Sequence, residues 1–404
     1  MIARRSFLQA TLAAAAPGMG RTFLFRARGA GGFLNPEGKL ARMRTDGGGR
    51  EILDFHMPNH IGWGVYAFFR DGHRAILLSI EMNPDWKTKS FYEYYSRSRT
   101  HIWIWDMPTG KLTEIADKQR LAPFYAPCAL LPGEERLAAT VSVEGKERLY
   151  IMDLDGTHPR AISGPNEYVY GVSASPDGKR LAFHANYRIE VATVDGARRT
   201  RVAGHAGDIY FGTSWSPDGE WILFQVCHQA TDPGHDWSDI WIGRPDGSEN
   251  RPLTKGQAAW FAASYGARDN PGGGSNMPRW APDGSGILYA RRLPGSKSPW
   301  EYQAQRTDTT HFNRDFKPEA ARGGTQIVML DPKSGSETGL SGGQAGQWDF
   351  RGEWSPDSRQ ILFCRAGVGE NPAIWVMDRD GGRARMLTRG IDNQGADFPR
   401  WVRG

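Results

Sequence analysis

The chain has 404 residues, with 50 glycines, 25 prolines, 15 tryptophans and a formal net charge of +5. This glycine and proline content suits many tight turns and argues against a mainly helical protein. The basic residues are scattered, which excludes a nucleic-acid-binding arm. No stretch approaches the roughly 18 consecutive apolar residues of a membrane span.

Ala3-Arg4-Arg5-Ser6-Phe7-Leu8-Gln9 has the pattern of a twin-arginine export signal, followed by a short Ala/Leu stretch and small residues at Ala14–Ala16 for cleavage. Residues 1–20 are therefore expected to be a signal peptide and 21–404 a single domain, periplasmic or secreted. Three cysteines (Cys128, Cys227, Cys364) permit one disulfide at most and match no zinc spacing.

Arg21–Arg26, Leu40–Thr45 and Arg50–Asp54 read as three strands, with a turn at Asp46-Gly47. A repeat then begins. Its clearest copy is Ser214-Trp-Ser-Pro-Asp-Gly-Glu-Trp-Ile-Leu-Phe224, a strand, a tight turn and a second strand. Related first turns stand at Phe69–Gly72, Leu131-Pro-Gly133, Ser175–Gly178, Ala281–Gly284 and Ser355–Ser358. Second turns follow at Pro108–Gly110, Asp155-Gly156, Asp195-Gly196, Asp246-Gly247, Lys333–Gly335 and Asp380-Gly381, mostly preceded by apolar strands such as His101–Trp105. Each unit thus holds four strands, a to d. First turns at 133, 178 and 219 lie 45 and 41 residues apart, the period of a β-propeller blade.

The longer intervals place insertions between strands b and c at Asn83–Thr100, Cys227–Ser238 and Pro294–Gly324, with some surplus at Gln257–Ser275. Ala396–Val402 reads as a lone strand a that completes a seventh blade with the three N-terminal strands. The fold predicted is all-β, a propeller of seven four-stranded blades closed by both termini; six blades with an N-terminal strap is the alternative. The a–b and c–d turns share one face. The insertions and the residues ahead of each strand a share the other, where binding residues on a rigid scaffold concentrate.

On that face the sequence offers His60 and Trp63, Tyr170, Tyr210, Arg279 and Arg351, with His311 in the longest insertion. The Cys227–Asp236 loop gathers His228, Asp232 and His235, a ligand type suited to a divalent metal, manganese or calcium, although the spacing matches no strong signature. Asn83–Tyr95 offers aromatic platforms, Trp86 among them, beside Lys87 and Lys89, a combination suited to an anionic saccharide. Packing onto the blade is the alternative role for each aromatic.

Gly62-Trp-Gly64, Ile80-Glu81, Asp85-Trp-Lys87, Phe91 and Glu93-Tyr94-Tyr95 resemble one blade of the oligogalacturonate lyases, and Arg148 falls where that family carries a site arginine. The resemblance covers Asn59–Ile115 and weakly extends to about residue 160. It implies a seven-bladed propeller that cleaves acidic oligosaccharides by β-elimination and holds a divalent metal, usually manganese. Two departures stand against it. The family's catalytic histidine, five positions before a Pro-Asp-Gly proline, is Gly171 here, and its paired His-Pro-His is missing. The Ser-Pro-Asp-Gly repeats also resemble the propeller of TolB. The expectation is therefore a lyase with His60 or Tyr170 as base and Arg148, Arg279 or a metal neutralising the uronate carboxylate. The alternative is a non-catalytic propeller docking a protein or cell-wall ligand.

Overall fold

The computed structural model describes residues 21–30, 38–81, 99–122, 128–143, 146–228, 237–302 and 314–403. The export-signal region, Trp86, Lys87, Asp232, His235 and His311 lie outside them. Seven blades form a β-propeller. Blade 1 is His60–Phe68, Arg74–Glu81, Thr100–Asp106 and Leu112–Ile115, and blades 2 to 4 repeat this order from Cys128, Val169 and Asp208. Blade 5 is built around Ile287–Arg292, Thr325–Leu330 and Glu337–Gly339, and blade 6 runs from Gln347–Trp354 to Arg385–Thr388. In blade 7 the C-terminal Ala396–Trp401 is the innermost strand and pairs with Thr22–Ala27, followed by Lys39–Arg44 and Glu51–Ile52. The first three described strands and the last thus share one sheet, which closes the ring and leaves only the short outer edges of the blades.

The repeat works because each blade is buried on both faces. Ile222, Leu223 and Phe224 are all buried, with alternate side chains entering two different core clusters. Trp215 donates its indole N–H to the Ser173 carbonyl of blade 3 at 3.2 Å, and Trp401 donates to the Glu353 carbonyl of blade 6 at 3.1 Å. The turn between strands a and b closes by local chemistry. Gly219 N–H donates to the Ser216 carbonyl at 2.9 Å, while Ser216 Oγ donates to Asp218 and accepts from Trp221 N–H. Gly219 sits at φ +73°, and a Cβ there meets only ordinary contacts, the nearest 3.5 Å away on Pro176. Gly219→Ala is therefore expected to lose about 1–2 kcal/mol by conformation alone, seen as a lower urea midpoint at unchanged m-value. In blade 2 the left-handed place falls on Glu134 (φ +61°) rather than Gly133, so that turn is one residue longer than the Pro-Gly pair suggested.

The inner strands share a second device. Five are bulged, and a residue at each bulge has positive φ: Gly62, Gly171 and Gly212, but Arg351 in blade 6 and Phe398 in blade 7. A non-glycine residue held there costs about 1–3 kcal/mol, which other contacts must offset.

Those contacts come from the surplus in blade 5. Its inner strand is interrupted: Ala259 pairs with Arg291, Arg279–Trp280 pairs lower down with Leu288 and Ile287, and between them lies a hairpin, Ala262–Tyr265 with Gly272–Ser275. The hairpin lies against the inner strands of blades 6 and 7. Tyr265 stacks on Phe350 at 4.8 Å, and Arg351 donates to the Gly273 and Ser275 carbonyls and the Tyr265 hydroxyl. Arg28 holds the tip, donating to the Asn270 carbonyl and side chain at 2.8 Å each.

The three predicted insertions fall between strands b and c of blades 1, 4 and 5. All three cysteines are free and buried. Among the described residues no helix is long and apolar enough to cross a membrane.

Candidate functional site

Among the described residues, the face carrying the insertions has polar centres on blade 1, on blade 4 around His228, and over blades 5 to 7. On blade 1, His60 opens strand a, Glu81 closes strand b, His101 lies at the start of strand c and Glu114 near the end of strand d. Antiparallel pairing therefore brings all four to one rim, beneath the root of the aromatic insertion. His60 Nδ1 lies 2.8 Å from Ser79 Oγ, which also accepts the Trp103 indole N–H at 2.9 Å. The hydroxyl oxygen has two lone pairs, enough to accept from both rings; in that tautomer His60 Nε2 carries the lone pair. His101 is 8 % exposed, lies edge-on to His60 at 4.8 Å between ring centres, and contacts Glu114 at 2.6 Å through Nδ1. Its Nε2 lies 3.6 Å from Glu81. Burial, and then the neighbouring His101, push the half-buried His60 below the ordinary histidine range, so it is neutral at pH 7. That is the state a base requires.

Over blades 5 to 7 the centre is internal. Arg351 forms a buried ion pair with Asp397, lies 3.7 Å over the Phe398 ring and holds the hairpin. Burial dominates the titration of both: the Asp397 carboxyl is pushed up to about 7 against the opposing pull of Arg28, the Phe398 N–H and Arg26, and the Arg351 guanidinium is pushed down to about 9, with Arg26 and Arg28 adding to the fall; the direct ion pair favours the charged form of each. Next to it, Asp349 accepts two bonds from Arg365 at 2.7 and 2.9 Å.

The residues singled out by sequence divide accordingly. His60 lies at the rim, whereas Arg279, expected on the same face, stands at the opposite end of the channel because it pairs with Leu288 directly ahead of the a–b turn of blade 5. Arg148, opening strand c of blade 2, donates to the Ser163 carbonyl at 3.1 Å and lies over Tyr150. Trp63, expected to bind substrate on that face, is buried between Phe55 and Trp103. Tyr170 is buried too; its hydroxyl donates to the Tyr210 carbonyl at 3.3 Å and its ring stacks on His184 at 3.9 Å. The Tyr210 hydroxyl accepts His205 N–H at 2.8 Å, and Arg351 is consumed by the hairpin and Asp397. Tyr170 and Arg351 take a partner from the next blade or the hairpin, and Arg148, Trp63 and Tyr210 from other strands or loops around their own blade, which reading along one strand does not reveal.

His228 has carboxylates at both ring nitrogens, Asp208 at 2.8 Å and Asp239 at 3.5 Å. Asp239 is already an acceptor for Thr254 and for backbone N–H of Gln257 and Ala258. Among the described residues no group of three or more His, Cys, Asp or Glu is arranged to hold a metal; of the three expected ligands only His228 lies among them. His101, Glu114 and Arg28 escaped the sequence reading. His101 opens an apolar strand and reads as part of it, and only the fold sets it beside His60. A shallow cavity of about 200 Å³ lined by Arg136, Asp153, His158 and Arg160 is on the opposite face, at the turn end of blade 2, away from this rim.

No family model matches the chain. Among curated proteins it is 27 % identical over 111 residues to a TolB homolog of Chlorobium chlorochromatii, covering 27 % of this chain and 24 % of that protein. It is 37 % identical over 75 residues to the Tol-Pal system protein TolB of Thioalkalivibrio sulfidiphilus, 17 % of each. The matched part thus spans a quarter or less of these relatives' length. Among solved structures, an oligogalacturonate lyase in complex with manganese superposes with a TM-score of 0.52 at 15 % identity, over 91 % of this chain and 85 % of that one. The chain is similar to TolB and to the oligogalacturonate lyases. At these identities the structural likeness is one of fold, shared with a puromycin-hydrolyzing peptidase of Mycobacterium tuberculosis (TM-score 0.53, 15 % identity, 92 % of this chain, 53 % of that one).

Proposed function

We propose that the protein is an exported, carbohydrate-active propeller that binds an acidic, uronate-containing oligosaccharide and cleaves it by β-elimination. The observation that carries this reading is His60: a half-buried imidazole kept neutral, its Nδ1 engaged by Ser79, at the root of the aromatic insertion. β-Elimination needs a base for the proton next to the uronate carboxylate, and Nε2 supplies it. It also needs positive charge where the carboxylate accumulates electron density. Among the described residues Arg26 donates to the Gly62 and Trp63 carbonyls at 3.0 and 3.2 Å beside His60, and Arg148 on blade 2 is the second candidate cation. The manganese of the lyase neighbour has no counterpart among the described donors, and no step is assigned to a metal here.

The test is an ultraviolet assay for the unsaturated product on polygalacturonate, alginate and other uronate polymers. Absence of product with every polymer ends the lyase reading. Tyr170→Phe removes a long internal hydrogen bond to the Tyr210 carbonyl, worth about 1 kcal/mol or less. It is expected to leave kcat within about twofold, whereas a tyrosine base would lose about a hundredfold.

A second reading, a non-catalytic TolB-like propeller docking a protein or cell-wall ligand on the same face, is favoured by the burial of Trp63, Tyr170, Tyr210 and Arg351. Unchanged saccharide together with a co-purifying partner would support it.

A further inference from the structure

The turn-face end of the channel carries a charge arrangement that neither the ring's closure nor the rim chemistry uses. Arg279, Glu353 and Arg400 occupy equivalent places on the innermost strands of blades 5, 6 and 7, each one residue before the tryptophan that packs between blades. Glu353 receives one arginine on each oxygen, Arg279 Nε at 3.4 Å and Arg400 Nε at 3.5 Å. Both contacts use Nε. Among the described residues neither guanidinium makes a hydrogen bond, and Arg400 Nε is buried without one. The terminal forks of two arginines therefore remain for another acceptor. Their side chains are 42 % and 24 % solvent-exposed, although atoms crowd Arg279 closely enough for burial to lower its pKa, with Arg400 adding to the shift. Crowding together with solvent access is what a group lining a narrow wet channel has.

The surroundings leave room for an anion. Tyr66 on the inner strand of blade 1 is 38 % exposed, a neutral phenol within electrostatic range of the Arg400 guanidinium. The places equivalent to Arg279 in blades 2, 3 and 4 are the small residues Ala129, Ser173 and Ser214. Two cations share one carboxylate, so a net positive charge stays in the lumen. Planar guanidinium forks match a carboxylate in shape and charge.

We propose that this end of the channel is a carboxylate-binding site in which Arg279 and Arg400 together clamp one ligand carboxylate beside Glu353. A uronic acid and the free C-terminus of a peptide both offer that chemistry. The inference stands independently of the lyase reading, because the ligand need not reach His60.

Calorimetric titration of the full chain with sodium galacturonate against neutral galactose, and with a tripeptide against its C-terminal amide, separates the two sources. At least one carboxylate is expected to bind while its neutral counterpart does not. The double variant Arg279→Gln/Arg400→Gln should weaken binding at least about tenfold, the loss of one charge-assisted contact or more. Glu353→Gln should tighten it, because a competing carboxylate is removed. A merely structural ion triad would not give that opposite sign. The proposal is overturned if neither carboxylate binds the wild type or Glu353→Gln, or if the double variant, shown folded by circular dichroism, binds as the wild type does.

Discussion

Replacing Arg351 with methionine is expected to cost about 3–5 kcal/mol of stability, since it leaves Asp397 as an uncompensated buried charge. Asp397 is buried on the innermost strand of blade 7, and Arg351 is its ion-pair partner and the main fastener of the blade 5 hairpin. Methionine also keeps the strained left-handed backbone at φ +52° without the contacts that offset it. The loss should depend on pH with a definite sign. In the variant the Asp397 carboxyl titrates well above the unfolded value near 4, so between those two values the native state binds more protons than the unfolded one. Stability then falls as pH rises through that window. Urea denaturation at pH 5 and pH 8 should show a clearly larger deficit at pH 8. A deficit independent of pH, or below about 1 kcal/mol, would contradict the buried pair as the fastener. Replacing both partners by apolar residues should cost less than the sum of the two single changes.

Substituting His60 by glutamine is expected to lower kcat on the uronate substrate by about 10²–10⁴-fold with little change in KM, the loss of a general base. Glutamine keeps a polar group within reach of Ser79, so unfolding should move little. The pH profile carries the mechanism. Burial and the adjacent His101 hold His60 below the ordinary histidine value, and the neutral form is the active one. The wild-type rate should therefore rise with pH on a limb lying below about 6.5 and be flat by neutrality. A limb above that value, or an unchanged kcat in the variant, would remove His60 from the base role.

Much of the architecture was legible because propeller turns are local. Ser216-Pro-Asp-Gly219 closes on itself through bonds within five residues, and the spacing of its copies therefore counted the blades and located the insertions. The shared seventh blade was legible for a related reason: Phe398–Trp401 repeats the pattern of Met277–Trp280, and the three N-terminal strands lack a strand a of their own. The site was legible only as a face. Trp63, Tyr170 and Tyr210 have the residue types of a binding rim and the right positions along their strands, yet their partners are Phe55 in the segment joining blade 7 to blade 1, His184 on the neighbouring strand of blade 3, and the His205 backbone. A one-dimensional pattern gives the face of a strand but not the depth of the side chain on it.

What the amino-acid order determined by itself is therefore the ring: seven repeats of turn chemistry and two-faced apolar strands, closed by the termini. What only the tertiary structure decided is which side chains remain available to solvent. The bulge place is glycine in blades 1, 3 and 4, whereas Arg351 and Phe398 bring large side chains to it in blades 6 and 7. Those side chains and the hairpin from blade 5 meet across sequence separations of up to 130 or so residues, so their pairing follows from the radial geometry that turns distant strands into neighbours. The same geometry sets His101 against His60 and places two arginines on one carboxylate in the channel.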